Sequence, residues 1–355
     1  MLEGRRNLEI NDQREIVRPP HLAEKIVFVD GIPGCGKTMM APIVGGLARV
    51  ELVQYSYQVE YICSLQFLGK IDDAAAAALI RMFTDLQLYN SMMSRETNFR
   101  VSDLSGVRLN PRSWKYLLRL FLPGDAVVLD RIHQERPILN LVTHCLLPIS
   151  LPIFAALNDR VRIIEVERHP LYMLKQQFKY MPRYGTDVRD FNIWFNHEGQ
   201  TLPWFANGWE KKFFESCPMN QAIYLMDEMH RLMENVLSKL TEQQKTQVLF
   251  IPFERFVTDP WPFMERLESF LDTKVTNTTR RVMKQQKVPR KMYSEGIDLR
   301  IYKKYGWEPP KEGADEAEEF ERRRQFAAEH ATVEAMDVLD RLCNDYEGKY
   351  LDGPP

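Results

Sequence analysis

From residue 25 onward the chain alternates short apolar runs with longer stretches of helical periodicity. KIVFVD (Lys25 to Asp30) has strand length and is closed at once by GIPGCGKT. Met39 to Val50 has helical spacing, ELVQYS offers a second strand from Glu51, and Tyr61 to Asn90 is helical again. Ser94 to Ser113 is polar and rich in turn formers, which predicts a surface loop. Trp114 to Phe121 predicts a helix, and Pro-Gly-Asp separates it from AVVLD (Ala126 to Asp130), a buried-strand pattern. Ile138 to Leu157 has the length of a membrane span, but Asn140, Thr143, His144, Pro148 and Pro152 favour a buried helix ending near Pro148. VRIIEVER (Val161 to Arg168) and QVLFIPF (Gln247 to Phe253) predict two more strands, the first leading into a helix through LYMLKQQFKYM. Phe213 to Leu240 reads as one long amphipathic helix, FMERLESFLD places Phe263, Leu267, Phe270 and Leu271 on one face, and the tail from Ala314 to Tyr346 is charged and helical.

Apolar strands separated by helices predict an α/β fold with a parallel sheet buried on both faces, and ligands at the carboxyl ends of its strands. The expected organisation is a flexible lead-in (1–22), a phosphate-loop α/β domain (23–310) with a helical, aromatic insertion at about 185–240, and a charged C-terminal helix and tail (311–355).

Composition acts by exclusion. A chain of 355 residues, 45% hydrophobic and 27% charged, buries a sizeable core without staples. The 47 basic residues against 49 acidic ones give a net charge of −2, which offers no support for a nucleic-acid partner. The cysteines (Cys35, Cys63, Cys145, Cys217, Cys343) are odd in number and lack CxxC spacing, so neither a disulfide framework nor a zinc site is expected. His21, His144, His197, His230 and His330 lack ligand spacing, so no metal is expected from them. The polar N-terminus does not read as a signal peptide, and a cytoplasmic protein without a membrane span is the expectation.

Gly31 to Thr38 matches G-x-x-x-x-G-K-[ST], with a strand before it and a helix after it. Gly34, Cys35 and Gly36 turn backbone N–H groups onto an anion, Lys37 adds a point charge, and Thr38 can bind a phosphate oxygen or magnesium. Such a loop serves phosphoryl transfer from ATP with magnesium, and also sulfuryl transfer.

Two further motifs bear on that choice. Arg168-His169-Pro170 ends a strand and starts a helix, and Phe253-Glu254-Arg255-Phe256-Val257-Thr258-Asp259-Pro260 is followed by Phe270-Leu271. The loop, Arg-x-Pro and Glu-x-x-x-x-Asp-Pro, in that order, resemble sulfotransferases over roughly Lys25 to Trp307. The resemblance implies 3′-phosphoadenosine 5′-phosphosulfate as donor. Gly34 to Thr38 would hold its 5′-phosphosulfate, and Arg168 its 3′-phosphate. Arg290 and Lys291, in Pro289-Arg290-Lys291 with Gly296 after it, would join Arg168. Where the family has a serine eight residues after the arginine, this chain has Gln176, which can still donate a hydrogen bond. The resemblance also implies a base at a strand end, histidine in one branch and glutamate in others. Asp130 to Glu135 supplies candidates, with His133 ahead of Glu135 and Asp130. Lys37 would stabilise charge on the bridging oxygen. His169 and Glu254 read as structural.

The acceptor class is a small molecule or glycan bearing a hydroxyl or amine. Phe191 to Trp209 offers aromatic residues for an acceptor pocket or a lid, and Arg95, Arg100 and Arg108 with Asn98, Ser102 and Ser105 offer a polar wall for the donor nucleotide or an anionic acceptor. Two alternatives remain open at this point. One is a small-molecule kinase using Lys37, Thr38 and Asp130 with magnesium, and Arg183 and Arg189 as a lid. The other is a nucleotide-binding regulator whose aromatic segment contacts a partner protein.

Overall fold

The computed structural model describes residues 16–351 apart from 101, 102, 104 and 111. β1 (Lys25–Asp30) runs through the glycine loop into α1 (Lys37–Gly45), followed by β2 (Gln54–Tyr55), α2 (Tyr57–Phe67) and α3 (Asp73–Met92). α4 (Ser113–Arg119) and α5 (Ala126–Glu135) precede β3 (Ile138–Val142), and α6 (Leu151–Leu157) precedes β4 (Val161–Glu167) and α7 (Pro170–Tyr180). An antiparallel hairpin, β5 (Trp194–His197) and β6 (Gln200–Pro203), leads to α8 (Glu210–Glu215), α9 (Pro218–Lys239) and α10 (Glu242–Lys245). After β7 (Val248–Pro252) come α11 (Phe253–Thr258), α12 (Trp261–Leu271), α13 (Asn277–Gln285), α14 (Arg300–Lys304), α15 (Glu316–Ala328) and α16 (Val333–Tyr350).

The main sheet has five strands in the order β2-β3-β1-β4-β7, and every pairing is parallel. This is an α/β fold with helices on the sheet. Ile26, Phe28, Leu139 and Ile163 are fully buried, as expected of central strands covered on both faces. Because the strands run one way, the segments leaving β1, β3, β4 and β7 emerge at one edge of the sheet. That edge receives the glycine loop, His144, Arg168 and Phe253.

Two predicted elements exchange roles. AVVLD is not a strand but the first half of α5, which buries Val128 and Ile132 one helical turn apart and leaves Val127 and Leu129 exposed. The strand is ILNLV, expected above as part of a helix, and it pairs with β1 from Lys25↔Ile138 to Val29↔Val142. An apolar run of five carries too little periodicity to separate the two states, and the pairing partner decides. Pro148 and Pro152 do not stop a helix. They stand in the first turns of a 3-10 turn (Leu147–Ile149) and of α6, where a missing N–H costs nothing.

The insertion is mixed rather than purely helical: the hairpin comes first, and the expected long helix is split into α8 and α9 at Ser216 and Cys217. The charged tail forms two helices, and α16 is not merely solvated. It buries Ala335, Leu339, Leu342, Cys343 and Tyr346, packing on α7 and α9. Residues 1–15 of the lead-in lie outside the described residues. From Arg18 the chain is tied to α3, where Asp85 takes an ion pair from Arg18 and the N–H groups of Leu22 and Ala23. Among the described residues no helix is long and apolar enough to cross a membrane.

Candidate active site

Gly36 caps α1 with φ +111°, and a side-chain carbon there would collide with the Phe253 ring, so only glycine lets the loop lie on that ring. α1 begins at Lys37, and its helical hydrogen bonding starts with the N–H groups of Met39 and Met40 on the Gly36 carbonyl, so those of Lys37 and Thr38 precede the helical ladder. Lys37 is buried, with its ammonium donating to the Gly31 carbonyl. Burial opposes its charge, but Cys35, Asp30, Cys145 and Glu165 outweigh that, and Lys37 titrates above the ordinary lysine range. Under the loop, Asp30 accepts from Thr143 Oγ1 at 3.0 Å and from the N–H groups of Leu146 and Leu147, both at 2.7 Å. Burial, then Asp30 and Glu167, push the adjacent Glu165 carboxyl well above its usual range.

The β4–α7 turn grips the loop from the other side. Arg168 Nη1 donates to the Gly34 carbonyl at 3.0 Å, Gln177 donates to the Pro33 carbonyl, and the Gln176 amide lies against Gly34. The Arg168 guanidinium lies 4.2 Å from the centre of the Phe253 ring and 5.2 Å from that of Tyr172. Its Nε is buried without a hydrogen-bond partner and stands 3.8 Å from Glu254 Oε1. Burial raises the Glu254 carboxyl, while Arg168, the Tyr346 hydroxyl and the His169 N–H pull it back.

Arg290 reaches the same ring, 5.5 Å from its centre. Its three guanidinium nitrogens donate to the carbonyls of Lys287, Glu295 and Gln286, so it organises the covering loop while its charge stays in the cleft. Burial, then the neighbouring Arg168, lower Arg290 to about 10. An anion bound beside the shared aromatic ring relieves the repulsion that Arg168 places on Arg290.

The cleft beside them has a volume of about 1230 Å³ and is lined by Gly34, Gly36, Lys37, Thr38, Arg168, Gln176 and Arg290. Cys35 is buried beneath the loop, and Lys291 is exposed and does not line the cleft, its N–H donating to Glu295 Oε2 at 3.2 Å. On the far side stand Tyr55, Tyr57, Phe191, Trp204 and Phe205, together with Arg183 and Arg189. From the polar loop, Asn98 and Ser105 line the cleft but Arg95, Arg100 and Arg108 do not, and Ser102 lies outside the described residues.

The three base candidates do not meet this cleft. Asp130 and His133 are exposed on α5. Glu135 is drawn into a cluster with Lys115 at 3.2 Å and Arg119 at 3.3 Å, built around buried Glu51. Their expected position depended on AVVLD being a strand, and its folding as a helix removes them.

His144, discounted above, occupies the strand end instead. Its neighbours Thr143 and Cys145 donate to the carbonyls of Val29 and Gly31, both at 3.2 Å, which fixes His144 beside the start of the glycine loop. Glu60 Oε1 accepts the His144 N–H at 2.9 Å and lies 3.1 Å from ring Nδ1. A carboxylate can only accept, so Nδ1 carries a proton, and the neutral ring has its lone pair on Nε2. The ring lies parallel to Tyr55, with centroids 6.1 Å apart and planes 6° from parallel. The one sequence signal was Thr-His directly after an apolar run, at the edge where parallel sheets bind ligands.

No known family profile matches the chain, and no curated protein matches it. Solved structures similar to it are sulfotransferases. The sulfotransferase domain from the olefin synthase of Synechococcus PCC 7002 is 12% identical with a TM-score of 0.42, covering 96% of this chain and 100% of that one. Sulfotransferase STF9 from Mycobacterium avium is 12% identical with a TM-score of 0.41, covering 93% and 78%. The sulfotransferase domain from the curacin biosynthetic pathway is 10% identical with a TM-score of 0.39, covering 86% and 97%.

Proposed function

We propose that the protein transfers a sulfuryl group from 3′-phosphoadenosine 5′-phosphosulfate to a hydroxyl or amine of a small-molecule or glycan acceptor. One observation carries the reading: Arg168 stands on the glycine loop itself, 3.0 Å from the Gly34 carbonyl, with Arg290 beside it over a shared ring. Two anion cradles then face one cleft, and a nucleotide phosphorylated at both ends of its ribose needs that arrangement.

When bound, the donor supplies an activated sulfuryl group on its 5′-phosphate. The loop N–H groups and Thr38 hold that end, and Lys37 stabilises charge gathering on the leaving phosphate. Arg168 and Gln176 hold the 3′-phosphate, with the Arg290 charge behind them. His144 Nε2 accepts the acceptor proton as sulfur–oxygen bond formation proceeds, and Glu60 keeps the ring in the tautomer that can do so. Tyr55, Tyr57 and Trp204 form an apolar wall for the acceptor.

The kinase alternative loses its anchor, because Asp130 does not line the cleft and β3 is followed by Thr143 and His144 rather than by a carboxylate. Calorimetry with 3′-phosphoadenosine 5′-phosphate and with ADP plus magnesium separates the two. Tight binding of the first and weak binding of the second is expected, and the reverse order refutes the proposal. A sulfate-transfer screen with radiolabelled donor then identifies the acceptor.

A further inference from the structure

The C-terminal helix reaches the back of the proposed donor site. Tyr346 is 8% exposed and donates its hydroxyl to Glu254 Oε2, and Glu254 is fully buried. From the turn between β4 and α7, the His169 N–H meets the same carboxylate at 3.3 and 3.4 Å. His169 Nδ1 accepts from the Leu171 N–H, so its Nε2 carries the proton that faces Glu347 at 2.9 Å. Two residues of α16 therefore brace the turn that carries Arg168.

The geometry around Glu254 is unusual for an acid beside an arginine. Its oxygens are taken up by Tyr346 and His169, and it stops 3.8 Å short of Arg168 Nε, which has no hydrogen-bond partner at all. A free carboxylate at that distance would close into a bidentate pair. Held back, it leaves the guanidinium edge open to a ligand anion, fixed on one side by the Gly34 carbonyl and on its face by Phe253.

We infer that Tyr346 is a positioning residue for the 3′-phosphate: by holding the Glu254 carboxylate away from Arg168, it keeps that arginine available to the nucleotide. The inference rests on the sulfotransferase reading. The α16 helix is then a determinant of donor selectivity rather than a peripheral cover. In Tyr346→Phe the carboxylate loses its strongest restraint, swings onto Arg168 and competes with the 3′-phosphate.

The test compares 3′-phosphoadenosine 5′-phosphate with adenosine 5′-phosphate by calorimetry on the full chain, taking the dissociation constant of adenosine 5′-phosphate divided by that of the bisphosphate. Tyr346→Phe should lower that ratio about tenfold, through the 3′-phosphorylated ligand alone, because a hydrogen bond to a charged group is lost. Glu254→Gln removes the competing charge and should leave the ratio at or above that of the unmodified protein, and adding it to Tyr346→Phe should restore the ratio. A merely structural role for Tyr346 predicts equal weakening of both nucleotides and no rescue. An unchanged ratio in Tyr346→Phe overturns the inference. A fall in Glu254→Gln overturns it too, and that arm stands if Tyr346→Phe does not fold. A ratio near one in the unmodified protein would instead sink the sulfotransferase reading, so the two failures are distinct.

Discussion

Replacing Arg168 with alanine probes the proposed donor site most directly. The side chain is 14% exposed, lies on the Phe253 ring and touches the glycine loop, so the group removed is desolvated and already oriented. Truncating one partner of a buried, hydrogen-bonded charge pair costs about 2–5 kcal/mol, or roughly 30- to 5000-fold in dissociation constant. Arg290 keeps its charge 5.5 Å from the same ring, which favours the lower part of that range, about 30- to 300-fold. Adenosine 5′-phosphate should lose far less, because the loop and Lys37 remain. Arg168→Lys should recover only part of the affinity, since one ammonium cannot serve both the Gly34 carbonyl and a phosphate as a planar fork does. The assay is calorimetry of both nucleotides against each variant. Loss of less than about threefold for the bisphosphate would refute the reasoning, and equal loss for both ligands would make Arg168 a support for the loop instead.

The other predictions concern catalysis and stability. His144→Ala should lower sulfate transfer about 10²- to 10⁴-fold with donor affinity little changed, whereas His133→Ala, exposed on α5, should leave both within about twofold; steady-state rates on an identified acceptor decide. Gly36→Ala forces a left-handed residue into the Phe253 ring, so it should cost at least about 1–2 kcal/mol of stability and weaken nucleotide binding, seen in thermal melts and titrations. Burial opposes ionisation of Glu51, but Arg119 and Lys115 overcome it and hold its carboxyl at about 2. Its folded value is depressed, so its stabilisation is present above the unfolded value of about 4.3 and is lost as the pH falls toward 2. Glu51→Gln should therefore be less stable at neutral pH, by on the order of 3 kcal/mol, and show a shallower loss in acid; melts across that range measure both.

Much of the sheet was legible locally. KIVFVD, VRIIEVER and QVLFIPF are runs long and apolar enough to need burial on both faces, and they form β1, β4 and β7. The glycine loop was legible because its spacing is itself a backbone requirement, seen at Gly36. AVVLD and ILNLV were not separable, because each is a five-residue run and only pairing with β1 selects ILNLV. His144 was hidden by that error, since its place depends on which run is the strand.

By itself, then, the sequence determined the α/β class, the glycine loop and the basic residues at positions 168 and 290, each through a local rule of burial, turn geometry or charge. Only the tertiary structure decided that Phe253 gathers the loop and both arginines on one ring, that His144 stands beside the loop, and that α16 ends against Glu254. Those are contacts between segments far apart in the chain. Packing chooses among many such pairings by the apolar surface buried and the polar groups satisfied, and no local window of residues contains that sum.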